Sequence, residues 1–409
     1  MLRALAKPRS PRLGRGAWGF AALTAAGVIV TVDEASYASD SNQTHAFVVG
    51  RSGALANGAW LDAGNTSRAR VHFPRAPEVG FRVRIPGGIG QAPASDAAGD
   101  LIVVHAEPRI SKLDSRGRTL WSKRLESEVT NAPVLTSSGK IVLVTHDADA
   151  LLLSPRGKLL QKSPLPLGEL RHKTLAISTD NGGVLIANGT SLVELDSAGE
   201  VTRQGHTLAT VTALAEWRSA LLAISDNGSV AVAQATGDFE VIGNLGGTVP
   251  DGGAVQDGKI FAVVDEHKLV AFDLTRARAV TLATEPAVAL SGPPLLFGNQ
   301  SSVLVVDSGF LSLRAASGGE TLRVAIAESS RAFDPAAQAL RPALMIGDAD
   351  GGVAASRSGS DALILASDGK AQRFESTSCL DPFRPTPTLA GVVFACRSGQ
   401  LFGISDREP

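Results

Sequence analysis

Apolar residues along the chain fall in runs of four to six, rich in valine, isoleucine and leucine, and each run ends at a break containing glycine, aspartate or serine. The clearest stretch begins at Ala132, breaks at Ser137-Ser138-Gly139, resumes over Ile141 to Thr145 and again over Ala150 to Ser154, and breaks at Arg156-Gly157 before Leu159-Leu160. This pattern predicts a unit of four short strands joined by tight turns. Its pieces are too short and too often interrupted for helices.

The unit recurs. With the start of the first strand as the phase marker, copies begin at Ala92, Ala132, Thr174, Ala213, Gly252, Gly292, Pro342 and Pro385, separated by 40, 42, 39, 39, 40, 50 and 43 residues. Third strands keep the same phase, from 109–114 in the first unit to 400–405 in the eighth, and Gly117, Gly157, Gly199, Gly237, Gly318 and Gly369 follow six of them. Such glycines supply the positive φ that a tight hairpin needs. Eight units of about forty residues predict an all-β fold, an eight-bladed β-propeller of four-stranded antiparallel blades. A seven-bladed ring with residues 81–85 packed outside is the alternative.

The eighth unit runs out of chain after its third strand. Residues 81–85 (Phe81, Arg82, Val83, Arg84, Ile85) alternate apolar and basic as an outer strand does, so they are expected to complete the last blade and remove an open edge. The long spacing before Pro342 places an insertion at 327–341, with a helical turn started by Asp334-Pro335; a tolerated surface insertion is the expected reading and a binding loop the alternative.

The first 38 residues break the pattern. Arg3, Lys7, Arg9, Arg12 and Arg15 precede an uncharged run from Ala17 to Val32, and Ser36-Tyr37-Ala38 offers a small-x-small cleavage motif, so export is expected with cleavage between Ala38 and Ser39. An uncleaved anchor is the competing reading, because the run is just short of a full span. The chain then divides into a signal peptide or anchor (1–38), a lead-in segment (39–80), the propeller (81–405) and a short tail (406–409). The only two cysteines, Cys379 and Cys396, fall within eighteen residues of each other near the C-terminus, in one predicted blade, and an oxidising compartment would join them. A formal charge of −1, about −4 without the leader, offers no basic block for nucleic acid.

The repeats resemble the PQQ-like (quinoprotein-type) β-propeller family, whose members include an outer-membrane assembly lipoprotein as well as quinoprotein dehydrogenases. The resemblance spans about Trp60 to Ser405. It rests on Ala-Pro at strand starts (Ala92-Pro93, Ala132-Pro133), on Leu-Asp-x-x-Gly (Leu113 to Gly117, Leu195 to Gly199), on Arg118 to Trp121, and on the lead-in from Ala59 to Arg68. Most units lack the family's fourth-strand tryptophan; only Trp121 sits there, while Trp18, Trp60 and Trp217 lie elsewhere. This makes the chain a divergent member whose blades pack with Leu, Val and Phe. The lipid-attachment cysteine is missing, and so are the adjacent cysteines and abundant tryptophans of a quinone site.

Candidate chemistry is sparse. His105 and His146 stand 41 residues apart, at what looks like one position in consecutive units, but a metal site needs three or four converging ligands and unit three has Asn188 there. Asp348 to Gly352 has the composition of a calcium loop without its remaining carboxylates, so a hairpin turn is expected. No catalytic, cofactor-binding or metal-ligating residue is predicted, and no cofactor. The expected function is an exported, non-catalytic interaction or scaffolding module, periplasmic or at the cell surface and monomeric, with an envelope protein or peptide as partner and membrane contact only through a retained leader. The alternatives are a quinone-dependent or carbohydrate-active enzyme using the central channel, and a membrane-tethered sensor.

Overall fold

The structure is a computed structural model. It describes residues 54–56 and 72–406 apart from 169, 171, 235–237, 285–288, 297–301, 308–309, 316–318, 326–343, 348–351, 357–361, 366–369, 375–378 and 380. The leader with its Ala38–Ser39 cleavage position, the 327–341 insertion, Asp348 to Gly351 and the turn residues Gly237, Gly318 and Gly369 lie outside the described residues.

Every described regular element is a strand, and the strands form eight antiparallel sheets, seven of four strands and one of five. Inner strands begin within two residues of the phase markers in all eight sheets: Ala94–Asp96, Val134–Leu135, Leu175–Ser178, Val211–Trp217, Gly253–Gln256, Leu290–Leu296, Leu344–Gly347 and Thr386–Thr388. Third strands also agree with expectation, as at Lys268–Asp273 and Phe310–Ala315.

Burial explains the hydrophobic runs. Second strands such as Leu101–Val104 and Ile141–Val144 are buried at every position, because each sheet is covered on both faces by its neighbours. Ile102 and Val104 pack toward Leu135, Ile141 and Leu143 of the second sheet, while Leu101 and Val103 pack toward Val393, Ala395 and Leu401 of the eighth. Similar apolar clusters lie between every other pair of successive sheets, so the core is a circle of layers. Outer strands face water on one side and alternate, as in Thr119–Arg124.

The circle closes with strands from both ends of the chain. Pro77–Arg84 pairs antiparallel with Gln400–Asp406, from Pro77 opposite Asp406 to Arg84 opposite Gln400. The closing strand starts four residues before the expected 81–85 and ends one earlier; Ile85 leaves it to enter the core. Ala54–Ala56, which was assigned only to the lead-in segment, adds a fifth strand beside Ala94–Asp96.

The Leu-Asp-x-x-Gly motif has a physical basis. The Asp114 carboxylate accepts the backbone N–H groups of Arg116 and Arg118 at 3.0 and 2.8 Å, and Asp196 does the same for Ala198 and Glu200. The glycines of these turns, and Gly157 of the corresponding Leu153-Ser154 turn, lie against the preceding sheet's outer strand. A Cβ on Gly117 would stand 2.6 Å from Val83 and 2.9 Å from Phe81, and one on Gly157 would stand 3.0 Å from the Trp121 ring. Trp121 also donates its indole N–H to the Pro155 carbonyl at 3.2 Å, which docks the first sheet onto the second.

Candidate functional site

Where the inner strands begin, they surround a funnel, and among the described side chains the one just before each phase marker is polar: Gln91, Asn131, Lys173, Thr212, Asp251 and Arg384. Two of these stitch neighbouring sheets together: Gln91 donates to the Val129 carbonyl at 3.1 Å and Thr212 donates to the Val249 carbonyl at 2.9 Å, while Asn131 accepts the Val144 N–H at 2.6 Å within the second sheet. Across the closure, Ser95 donates to the Pro387 carbonyl at 2.5 Å and Thr386 donates to the Pro93 carbonyl at 3.2 Å.

On one side the funnel opens into a cavity of about 250 Å³ between the eighth, first, second and third sheets. Lys173, Arg384, Arg397 and Asp381 supply its charge, and Leu175 and Phe383 supply apolar wall. The Arg384 side chain is buried, and that burial pulls its guanidinium down to about 10, against a smaller opposing effect of Asp251. Lys173 reaches water but is crowded by the walls; desolvation, then the Arg384 cation, lower its pKa, while Asp251 raises it. Arg397 lies over the Phe383 ring at 5.2 Å and donates to the Gly90 carbonyl at 3.4 Å.

Cys379 and Cys396 are joined as a disulfide beside this cavity. The Asp381 carbonyl accepts the Arg397 N–H at 2.9 Å, and the Ala395 carbonyl accepts the Phe383 N–H at 2.9 Å. The disulfide and these bonds clamp 381–384 against the turn after 395, which sets the positions of both arginines.

The two histidines are not equivalent, which corrects the sequence alignment. His105 bridges Ile89 and Thr145 bridges Val129, so Thr145 holds the place of His105 in the second sheet and His146 falls one residue later. A slip of one residue in a strand turns the side chain to the other face. His105 is accordingly buried and His146 exposed. The His105 ring is 2.8 Å from the Ser111 hydroxyl, and burial, outweighing the nearby Pro86 carbonyl, lowers its pKa. The sequence reading missed Lys173, Arg384 and Arg397. The unbroken polar series before the phase markers was the available signal for Lys173 and Arg384; Arg397 stands outside it.

No family model matches the chain, and no curated protein matches it. Solved structures do. BamB from Moraxella catarrhalis superposes with a TM-score of 0.60 at 15% identity, over 82% of this chain and 99% of that one. The fold is a β-propeller. A computationally designed protein, Ika8, superposes with a TM-score of 0.58 at 14% identity, over 80% of this propeller and 99% of the design. The Pan2 WD40 domain of Neurospora crassa gives 0.50 at 11% identity, over 83% of the propeller and 98% of the domain. At these identities the likeness concerns the fold.

Proposed function

We propose that the chain is an exported propeller that acts without catalysis, as a protein-interaction or scaffolding module of the bacterial cell envelope. The observation that carries this reading is a closed ring whose last blade is cross-linked by Cys379–Cys396 beside the cavity. Structural disulfides persist outside the reducing cytosol, in agreement with the basic and apolar leader at 1–38. A closed ring holds its loops and funnel in fixed positions, and pre-organised surfaces of this kind bind partners at low entropic cost. The repeat resemblance to a family that includes an outer-membrane assembly lipoprotein supports the same role, and so does the fold likeness to BamB. The partner is an envelope protein or peptide. The propeller works as a monomer.

The test combines location with ligand response. Fractionation of cells expressing the tagged full chain is expected to recover it from the periplasm or cell surface; cytosolic recovery overturns the export reading. Titration of residues 39–409 with pyrroloquinoline quinone and Ca²⁺, followed by tryptophan fluorescence and melting temperature, is expected to produce no shift. Saturable stabilisation, the sign of a native-state ligand, overturns the non-catalytic reading.

A further inference from the structure

We infer that the funnel cavity is a binding site for a carboxylate carried on a small apolar body, such as the C-terminal residue of a peptide. Three cations, Lys173, Arg384 and Arg397, line the cavity beside one carboxylate, Asp381; Asp251 acts electrostatically on Lys173 and Arg384. Among the described residues, these five groups leave one positive charge in excess. Two of the cations are near enough for Arg384 to disfavour the charged form of Lys173, so an anion entering between them relieves a repulsion already present.

The remaining wall selects what the anion is attached to. Leu175, Ala92, Ala132 and the Phe383 ring face the same space. A bare phosphate would leave that wall wet, whereas a short aliphatic or aromatic body covers it and gains about 25 cal/mol per Å² of apolar area. Size points the same way. At about 250 Å³ the cavity is below the ~300 Å³ floor of sites that enclose a whole drug-sized molecule, so it takes the end of a longer ligand.

Rigidity adds a third argument. The Cys379–Cys396 bond, the Arg397 N–H donated to Asp381 and the Arg397–Phe383 stack hold the two arginines in place without a ligand. Charges held in this way lose little entropy on binding.

This site does not depend on the scaffold reading, because it is tested on the isolated protein. The purified full chain is titrated by calorimetry with four probes: an N-acetylated tetrapeptide ending in leucine with a free carboxylate, the same peptide amidated, octanoate, and inorganic phosphate. Saturable binding of the free-carboxylate peptide is expected, with no binding of the amidated peptide. Octanoate binding more tightly than the peptide would name a fatty acid as the source of the carboxylate; the reverse order names a peptide C-terminus. Lys173→Gln and Arg397→Gln are each expected to weaken binding about ten-fold, the loss of one charge-assisted hydrogen bond. Arg278→Gln, on an exposed outer strand, is expected to leave it unchanged. If Arg397→Gln lowers the melting temperature sharply, Lys173→Gln decides. Equal binding of free and amidated peptide, undiminished binding by Lys173→Gln, binding of phosphate alone, or no saturation with any probe at millimolar concentration overturns the inference.

Discussion

Two lysines show how burial and partners set a charge in opposite directions. The Lys112 amine lies 2.6 Å from Asp96 and 3.0 Å from Asp100. Burial works against its charge, but hydrogen bonds to both carboxylates prevail and raise its pKa above the usual 10.5. Its stabilising contribution is therefore complete below pH 10.5 and lost as pH rises through the folded value. Lys112→Met leaves two mostly buried carboxylates without their cation and is expected to cost about 2 kcal/mol in urea unfolding at neutral pH. For Lys173, burial and Arg384 lower the pKa, so the fold disfavours the charged amine, and stability rises as pH climbs from the folded value through 10.5. Lys173→Met is expected to raise the melting temperature at neutral pH, with an advantage that shrinks above pH 10.5. An unchanged or lower melting temperature would show that the cation is not held at a cost. Gly117 is constrained differently. Its φ is +75° and its missing Cβ leaves room for Val83, so Gly117→Val is expected to lose about 2 kcal/mol by the same urea measurement.

Strand by strand, the hydrophobic pattern was a reliable guide because each strand type meets one environment. Second strands are covered on both faces and read as continuous apolar runs, while outer strands alternate. The closing strand was legible for the same reason: in Phe81-Arg82-Val83-Arg84 the apolar members pack inward and the arginines stay in water. Its extension back to Pro77 was not legible, since Pro77 and Glu78 carry no strand signal and are held by pairing with Asp406 and Ser405, with Gly80 at a register shift. Removing residues 72–84 is expected to expose the Gln400–Asp406 edge and to produce a large fall in melting temperature, with aggregation visible by size-exclusion chromatography. The disulfide acts on the same blade. It closes a loop of 17 residues, and its reduction, or Cys379→Ala with Cys396→Ala, is expected to cost about 3 kcal/mol.

Because apolar clusters fill every described junction between successive blades, no junction is an obvious place for the ring to part. Open repeat arrays unfold from their ends, but here the ends are paired with each other in one sheet. Urea unfolding of the intact ring is expected to be a single transition, with circular dichroism and tryptophan fluorescence coincident. Two separated transitions would show that part of the ring melts alone. The 72–84 deletion is the variant in which such a separation should emerge.

By itself, the sequence determined the repeat, the strand phase, the turn chemistry and the closure, since each depends on local alternation, on glycine at positive φ, or on a strand missing from the eighth unit. Tertiary structure alone decided that His105 and His146 differ in register, that Ala54–Ala56 joins the first sheet, and that Lys173, Arg384 and Arg397 share one cavity. The reason is distance along the chain. Lys173 and Arg384 are 211 residues apart, and only the angle at which a ring returns on itself brings their charges together.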